Sequence, residues 1–145
     1  MSKITIVYLS DTASTEQMAE YVAAGAREAG AEVIAYTAAD FHAGLMDLYD
    51  GVAFGCPSMG RENNEELERD EFEPMFAALE EKLINKRIAL FGSFGGEEDD
   101  WMRNWEQRVT DYGAIMTSES VTAKEPLDAE AETACKALGA SLAEP

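Results

Sequence analysis

Five short apolar runs alternate with stretches of helical periodicity along this chain, and that alternation leaves few folds open. Residues 3–9 form a β-branched run; residues 15–29 then carry Met18, Ala19, Val22, Ala23 and Ala26 at helical spacing, closed by Gly30. A second strand is predicted over 32–36, a short or irregular helix over 40–48, and a compact buried strand over 51–56, stopped by Pro57. Residues 71–83 put Phe72, Met75, Phe76, Leu79 and Leu83 on one helical stripe. The fourth strand, 87–91, ends at Gly92, and Trp101, Trp105 and Val109 mark a helix over 101–112. Residues 114–121 supply the fifth strand and 127–142 the last helix. A crossover between parallel strands is right-handed and passes over a face of the sheet, so this order predicts a parallel sheet covered by helices on both sides. Ligands of such sheets bind beyond the carboxyl ends of the strands, where the strand order switches direction. Those ends are Ser10 onward, Pro57 onward and Gly92 onward.

Length and composition exclude several classes. The 145 residues suit one domain, 1–145, and a hydrophobic fraction of 46% rules out wholesale disorder. No run approaches the roughly 20 apolar residues of a membrane span, and the N-terminus lacks a basic-then-apolar leader pattern. The expectation is a cytoplasmic protein without a membrane role. The net charge of −18, from 29 acidic and 11 basic residues, repels nucleic acid and anionic membranes and favours basic protein partners; solubility is an equal use for it. Cys56 and Cys135 lack metal or redox spacing, which points to a reducing compartment. His42, the only histidine, has no nucleophile motif beside it and reads as a surface or cap residue. Nothing demands more than a monomer.

The loop after the first strand carries the most chemistry. Ser10, Asp11, Thr12, Ala13, Ser14 and Thr15 lead from an apolar strand into a helix. Free backbone N–H groups and the helix N-terminus favour an anion there, and four side-chain hydroxyls can add donors. The loop has no Lys or Arg, so a phosphate would be held by neutral hydrogen bonds, unlike a Walker loop; a G-x-G-x-x-G fingerprint is also absent. A Ser/Thr-rich helix cap fits the same residues equally well.

Three stretches in the right order carry a family resemblance. The segment from Ile6 through Tyr8-Leu9-Ser10-Asp11-Thr12-Ala13-Ser14-Thr15 to Val22 resembles the flavodoxin phosphate loop at each constrained position. Gly55-Cys56-Pro57-Ser58-Met59-Gly60, followed by Phe72-Glu73-Pro74, looks like the second flavin loop of short-chain, clostridial-type flavodoxins. Leu90-Phe91-Gly92-Ser93-Phe94-Gly95, then Trp101-Met102, is similar to their third loop. The resemblance implies an α/β, flavodoxin-like three-layer sandwich whose five-stranded parallel sheet has the order 2-1-3-4-5. It also implies a carrier of single electrons at low potential that binds FMN non-covalently, has no substrate of its own and docks on basic-faced redox proteins. The phosphate would sit on Ser10 to Thr15. Ser58, Met59, Gly60, Arg61 and Glu62 would clasp the ring together with Ser93, Phe94, Gly95 and Gly96. In the family a Met at the position of Met59 packs on one ring face, and the peptide around Gly60 reorients on reduction so that a carbonyl meets the flavin N5 proton. Glycine permits that exchange of backbone conformations.

Acidic clusters at Glu62, Glu65, Glu66 and Glu68, and at Glu97, Glu98, Asp99 and Asp100, crowd the expected rim. Burying an anionic reduced flavin beside such charge raises its free energy and lowers the potential. As solvated loop residues they would do little, and Asp99 and Asp100 serve equally well as helix caps. Four positions depart from the family pattern. Gly96 stands where a Trp usually stacks on the ring, and Asp11 puts a charge in the phosphate loop. An insertion around Arg61-Glu62-Asn63 leaves the family's flavin-N3 glutamate at either Glu62 or Glu65, and Lys124 replaces an Asn before Glu-Pro. Two competing readings follow: a small FMN-dependent NAD(P)H oxidoreductase, because Gly96 would open the ring to a substrate, and a flavodoxin-like domain that has lost tight FMN binding. A phospho-accepting receiver is disfavoured by Cys56-Pro57, where the acceptor aspartate would stand.

Overall fold

Apolar residues on both faces of the central strands, and glycines in the helices on one side, decide how the layers pack. A computed structural model of the chain describes residues 3–8, 13–55, 73–94, 101–124 and 127–143. Strands β1 (Lys3–Tyr8), β2 (Glu32–Thr37), β3 (Gly51–Gly55) and β4 (Arg87–Phe94) pair in parallel, and β5 (Ile115–Met116) and β6 (Val121–Lys124) share the position beyond β4. The order is β2-β1-β3-β4-β5, with β6 also on β4, so the expected 2-1-3-4-5 sheet is present. Among the described residues four α-helices surround it: α1 (Ala13–Glu28), α2 (Glu73–Leu79), α3 (Trp101–Asp111) and α4 (Ala129–Ala143).

Alternation along each strand sends side chains to two separate cores. Ile4, Ile6, Ala53, Ala89 and Phe91 face α1 and α4. Val7, Val52, Phe54, Ile88 and Leu90 face α2, α3 and the 38–48 segment. On the second side the rings of Phe54, Phe76 and Trp105 meet edge to face, at centroid separations of 5.0 and 6.0 Å. On the first side glycines in the helices themselves let the two lie close. Gly25 of α1 abuts the backbone of Lys136, and Gly139 of α4 abuts the backbone of Val22 and Ala26. Of the seven methionines, Met18, Met46, Met75 and Met102 are buried, as expected of core fillers.

Helix ends follow their sequence signals. Gly30, at φ 98°, ends α1 with paired bonds from Gly30 N–H to Arg27 O and from Ala31 N–H to Ala26 O. Gly113, at φ 89°, closes α3 in the same way through Thr110 O and Val109 O. Asp128 caps α4, its Oδ1 accepting from Ala131 N–H at 2.9 Å. The irregular 40–48 helix takes the form of two 3-10 turns, Ala38–Asp40 and Ala43–Leu48, with exposed His42 preceding the second.

Three elements differ from the sequence expectation by more than the one or two residues seen at other ends. The helix expected over 71–83 is α-helical only to Leu79 and finishes as a 3-10 turn, Glu80–Lys82. The fourth strand runs past Gly92 to Phe94, because β6 supplies a ladder as far as the pair Phe94 and Lys124. The fifth strand is split. Met116 pairs with Ile88 and Val121 with Phe91, so five residues advance on one strand against three on the other. Thr117 N–H still donates to Ile88 O of β4 at 3.2 Å, but the side chains of that excursion bond to helices: Thr117 to Ser141 of α4 at 3.0 Å, and Ser120 to Glu106 of α3.

Candidate functional site

β1 leads through α1 to β2 on one side of it, while β3 lies on its other side, so the switch point of the sheet falls between β1 and β3. The helix that starts beside this switch point is α1, whose 16 residues bring aligned backbone dipoles to its first turn. Ala13 opens α1, Ser14 is half-buried, and Thr15 is fully buried. Glu16 follows as an exposed carboxylate in the same turn.

The end of β4 meets that turn. Ala89 and Phe91 lie on the α1 side of the sheet, and Ser93 continues the same alternation. Ser93 is buried, and its Oγ lies 3.1 Å from Oγ1 of Thr15, joining residues 78 apart in sequence. Phe94 is the last residue of β4. The first and third loops of the sequence reading therefore leave the fold from one hydrogen-bonded junction.

Three further residues lie at the neighbouring strand ends. Gly55 ends β3 opposite Phe91, and a Cβ there would collide with the Phe91 ring, with its Cδ2 at 2.9 Å and other ring atoms closer. The missing side chain is what lets the aromatic ring floor the switch point. Tyr8, at the end of β1, is half-buried; burial first, then Glu16 and Glu20, push its hydroxyl above the ordinary 10.0, so it stays a neutral phenol. Phe91 was not singled out from sequence, although the alternation of β4 beside a strand-end glycine carries the signal.

The expected contacts Ser10, Asp11, Thr12, Ser58, Met59, Gly60, Arg61, Glu62, Gly95 and Gly96 lie outside the described residues, as do Cys56, Glu65 and both acidic clusters. Among the site residues expected from sequence, the structure brings together Ala13, Ser14, Thr15, Ser93 and Phe94.

A doubly wound parallel sheet with a hydroxyl-bearing helix N-terminus beside its switch point defines an α/β protein of the flavodoxin-like class. The comparisons narrow the class. The family model described as flavodoxin matches residues 6–138. A flavodoxin of Megasphaera elsdenii is 37% identical over 140 residues, covering 97% of this chain and 98% of the relative. A flavodoxin of Clostridium beijerinckii is 36% identical over 138 residues, covering 95% and 97%. The solution structure of the two-electron reduced Megasphaera elsdenii flavodoxin superposes with a TM-score of 0.84, covering 98% of this chain and 99% of that one.

The chain belongs to the flavodoxin family, in its short-chain, clostridial-type group. It is an FMN-binding electron carrier rather than an enzyme, and it works with redox partners. The described residues are compatible with that cofactor: the start of α1, where backbone N–H groups lack helical partners, carries Ser14 and Thr15 rather than an apolar run.

Proposed function

We propose that Ser10, Asp11, Thr12, Ala13, Ser14 and Thr15 hold the FMN phosphate, and that Ser58 to Glu62 and Phe94 to Gly96 border the flavin ring, with Ser93 at the root of the latter segment. One observation carries this reading. The buried Thr15–Ser93 hydrogen bond ties the start of α1 to the end of β4, so a ligand held by one loop lies beside the other. Bound FMN supplies a couple that takes up and releases single electrons.

The chain has three tasks. Hydroxyls and the α1 N-terminus bind the phosphate without a Lys or Arg in the phosphate loop. The net charge of −18 opposes placing further negative charge in the site, and this supports a low working potential. The same acidity suits basic-faced donors and acceptors, for which long-range attraction raises the encounter rate and fades with salt. Among the described residues no helix is long and apolar enough to cross a membrane; a single-domain monomer in the cytoplasm completes the reading.

An anaerobic reductive titration of the FMN-loaded protein, followed by visible absorbance, tests it. Expected are stoichiometric binding with quenched flavin fluorescence and a long-wavelength band that rises to half-reduction and then falls. A single two-electron step, driven by NAD(P)H alone, would refute it.

A further inference from the structure

We propose that Ser93 is a positioning residue of the phosphate subsite, acting through Thr15 rather than on the flavin ring. The proposal rests on the reading of Ser10 to Thr15 as the phosphate loop. Its basis is the side of the sheet to which Ser93 points. Ile88 and Leu90 of β4 enter the core beneath α2 and α3, whereas Ala89 and Phe91 enter the core beneath α1 and α4. Ser93 shares the second side and meets Thr15 at 3.1 Å, with neither residue exposed to solvent. A serine in that apolar layer is costly unless its hydroxyl is bonded, and Thr15 provides the bond.

Counting protons gives the pair a direction. Each hydroxyl has one proton, and with no anion present either oxygen can donate to the other. Phosphate oxygens only accept. Once the Thr15 hydroxyl donates to phosphate, its proton is committed, and the Thr15–Ser93 bond must run from Ser93 O–H to Thr15 Oγ1. A hydroxyl that accepts one bond while donating another to an anion is polarised, and both bonds strengthen. Phosphate occupancy therefore fixes the Ser93 rotor and holds the end of β4, from which the third loop departs. Ser93 thereby helps the protein tell FMN from riboflavin, which has the ring but lacks the phosphate.

Titration of the apoprotein with FMN and with riboflavin, followed by quenching of flavin fluorescence, separates the outcomes. Ser93→Ala is expected to weaken FMN binding about tenfold and riboflavin binding less than twofold. Ser93→Cys keeps the volume with a weaker donor and should fall between the two. In a Thr15→Val background, Ser93→Ala should add less than twofold, because its acceptor is already gone. Unchanged FMN affinity in Ser93→Ala, equal losses for both ligands, or full additivity with Thr15→Val would each overturn the proposal. Wild-type protein that binds riboflavin as tightly as FMN would instead overturn the phosphate-loop reading itself. Thermal unfolding of each apo variant verifies that it folds, and Ser93→Cys carries the test if the alanine variant does not.

Discussion

Gly139→Ala sets two effects of opposite sign against each other at the α1–α4 contact. Alanine in a helix interior is favoured over glycine by about 1 kcal/mol, so helix propensity alone predicts a more stable protein. The packing predicts the reverse. A Cβ at Gly139 would lie 2.9 Å from Ala26 N and from the Val22 carbonyl carbon, and closer to the Val22 oxygen. Ordinary contact begins at 3.4 Å, so the two helices must part by at least the difference, 3.4 − 2.9 = 0.5 Å. Backbone atoms cannot rotate out of the way. The seam of Ala19, Val22 and Ala26 against Cys135, Leu138 and Leu142 opens with them. A gap of that size forfeits a quarter or more of each dispersion contact. Overpacking a filled core costs about 1–3 kcal/mol, and backbone-on-backbone collision puts this site at the upper end. After the propensity gain the net loss is about 2 kcal/mol, equivalent to a fall in Tm of roughly 6 °C for a chain of this size. The assay is thermal unfolding of the apoprotein by far-UV circular dichroism, because bound cofactor would stabilise both proteins and mask the difference. Gly30→Ala is the control: it has φ 98° and no neighbour within 4 Å, so it loses only about 1 kcal/mol to backbone strain. A Tm for Gly139→Ala at or above that of the wild type would refute the close approach of the two helices.

Three other outcomes follow from single contacts. Lys86 Nζ donates to the carbonyls of Met46 and Tyr49 at 3.0 and 2.8 Å, closing the Ala43–Leu48 turn; Lys86→Met should cost about 2 kcal/mol in urea unfolding with an unchanged slope, and a shift below about 0.5 kcal/mol would sink the assignment. Burial pushes the Cys135 thiol up to about 12, so in a Cys56→Ala background a disulfide reagent at pH 8 should react only as the protein unfolds; reaction at the rate of a free thiol would contradict its burial. Burial, and then the 2.8 Å bond to Tyr36, raise the Tyr49 phenol from 10.0 to about 12. The folded state thus favours the neutral phenol: its contribution is whole below pH 10 and is lost as pH climbs toward 12. The Tm of the wild type should fall more steeply than that of Tyr49→Phe across this window, and parallel profiles would remove Tyr49 from the account.

The order of strands and helices was readable because each element carries its own period. The β-branched run of β1, the stripe of Met75, Phe76 and Leu79, and the glycine at 30 are local signals, and each stands at the element it marks. From that order, right-handed crossovers lead to a parallel sheet and place its ligand end. The family followed from short motifs in sequence order. Other features depend on partners distant in the chain. Residues 114–121 have strand character throughout, yet Thr117 and Ser120 find hydrogen-bond partners on α4 and α3, and the strand divides there. Gly92 looks like a strand end, but pairing with β6 carries the ladder on to Phe94. Ser93, expected beside the ring, turns toward α1 because β4 remains regular through it.

What the sequence alone determined, then, was local preference and its succession: which segments are strands or helices, that the sheet is parallel, that a hydroxyl-rich turn opens the first helix, and which family uses that arrangement. Tertiary structure decided what no single segment encodes. It brought Thr15 within 3.1 Å of Ser93, seated Gly25 and Gly139 against opposing backbones, and laid the Phe91 ring over Gly55. Each of these is a meeting of residues separated by tens of positions. Periodicity reports which face a side chain presents, but only the packed layers determine what that face meets.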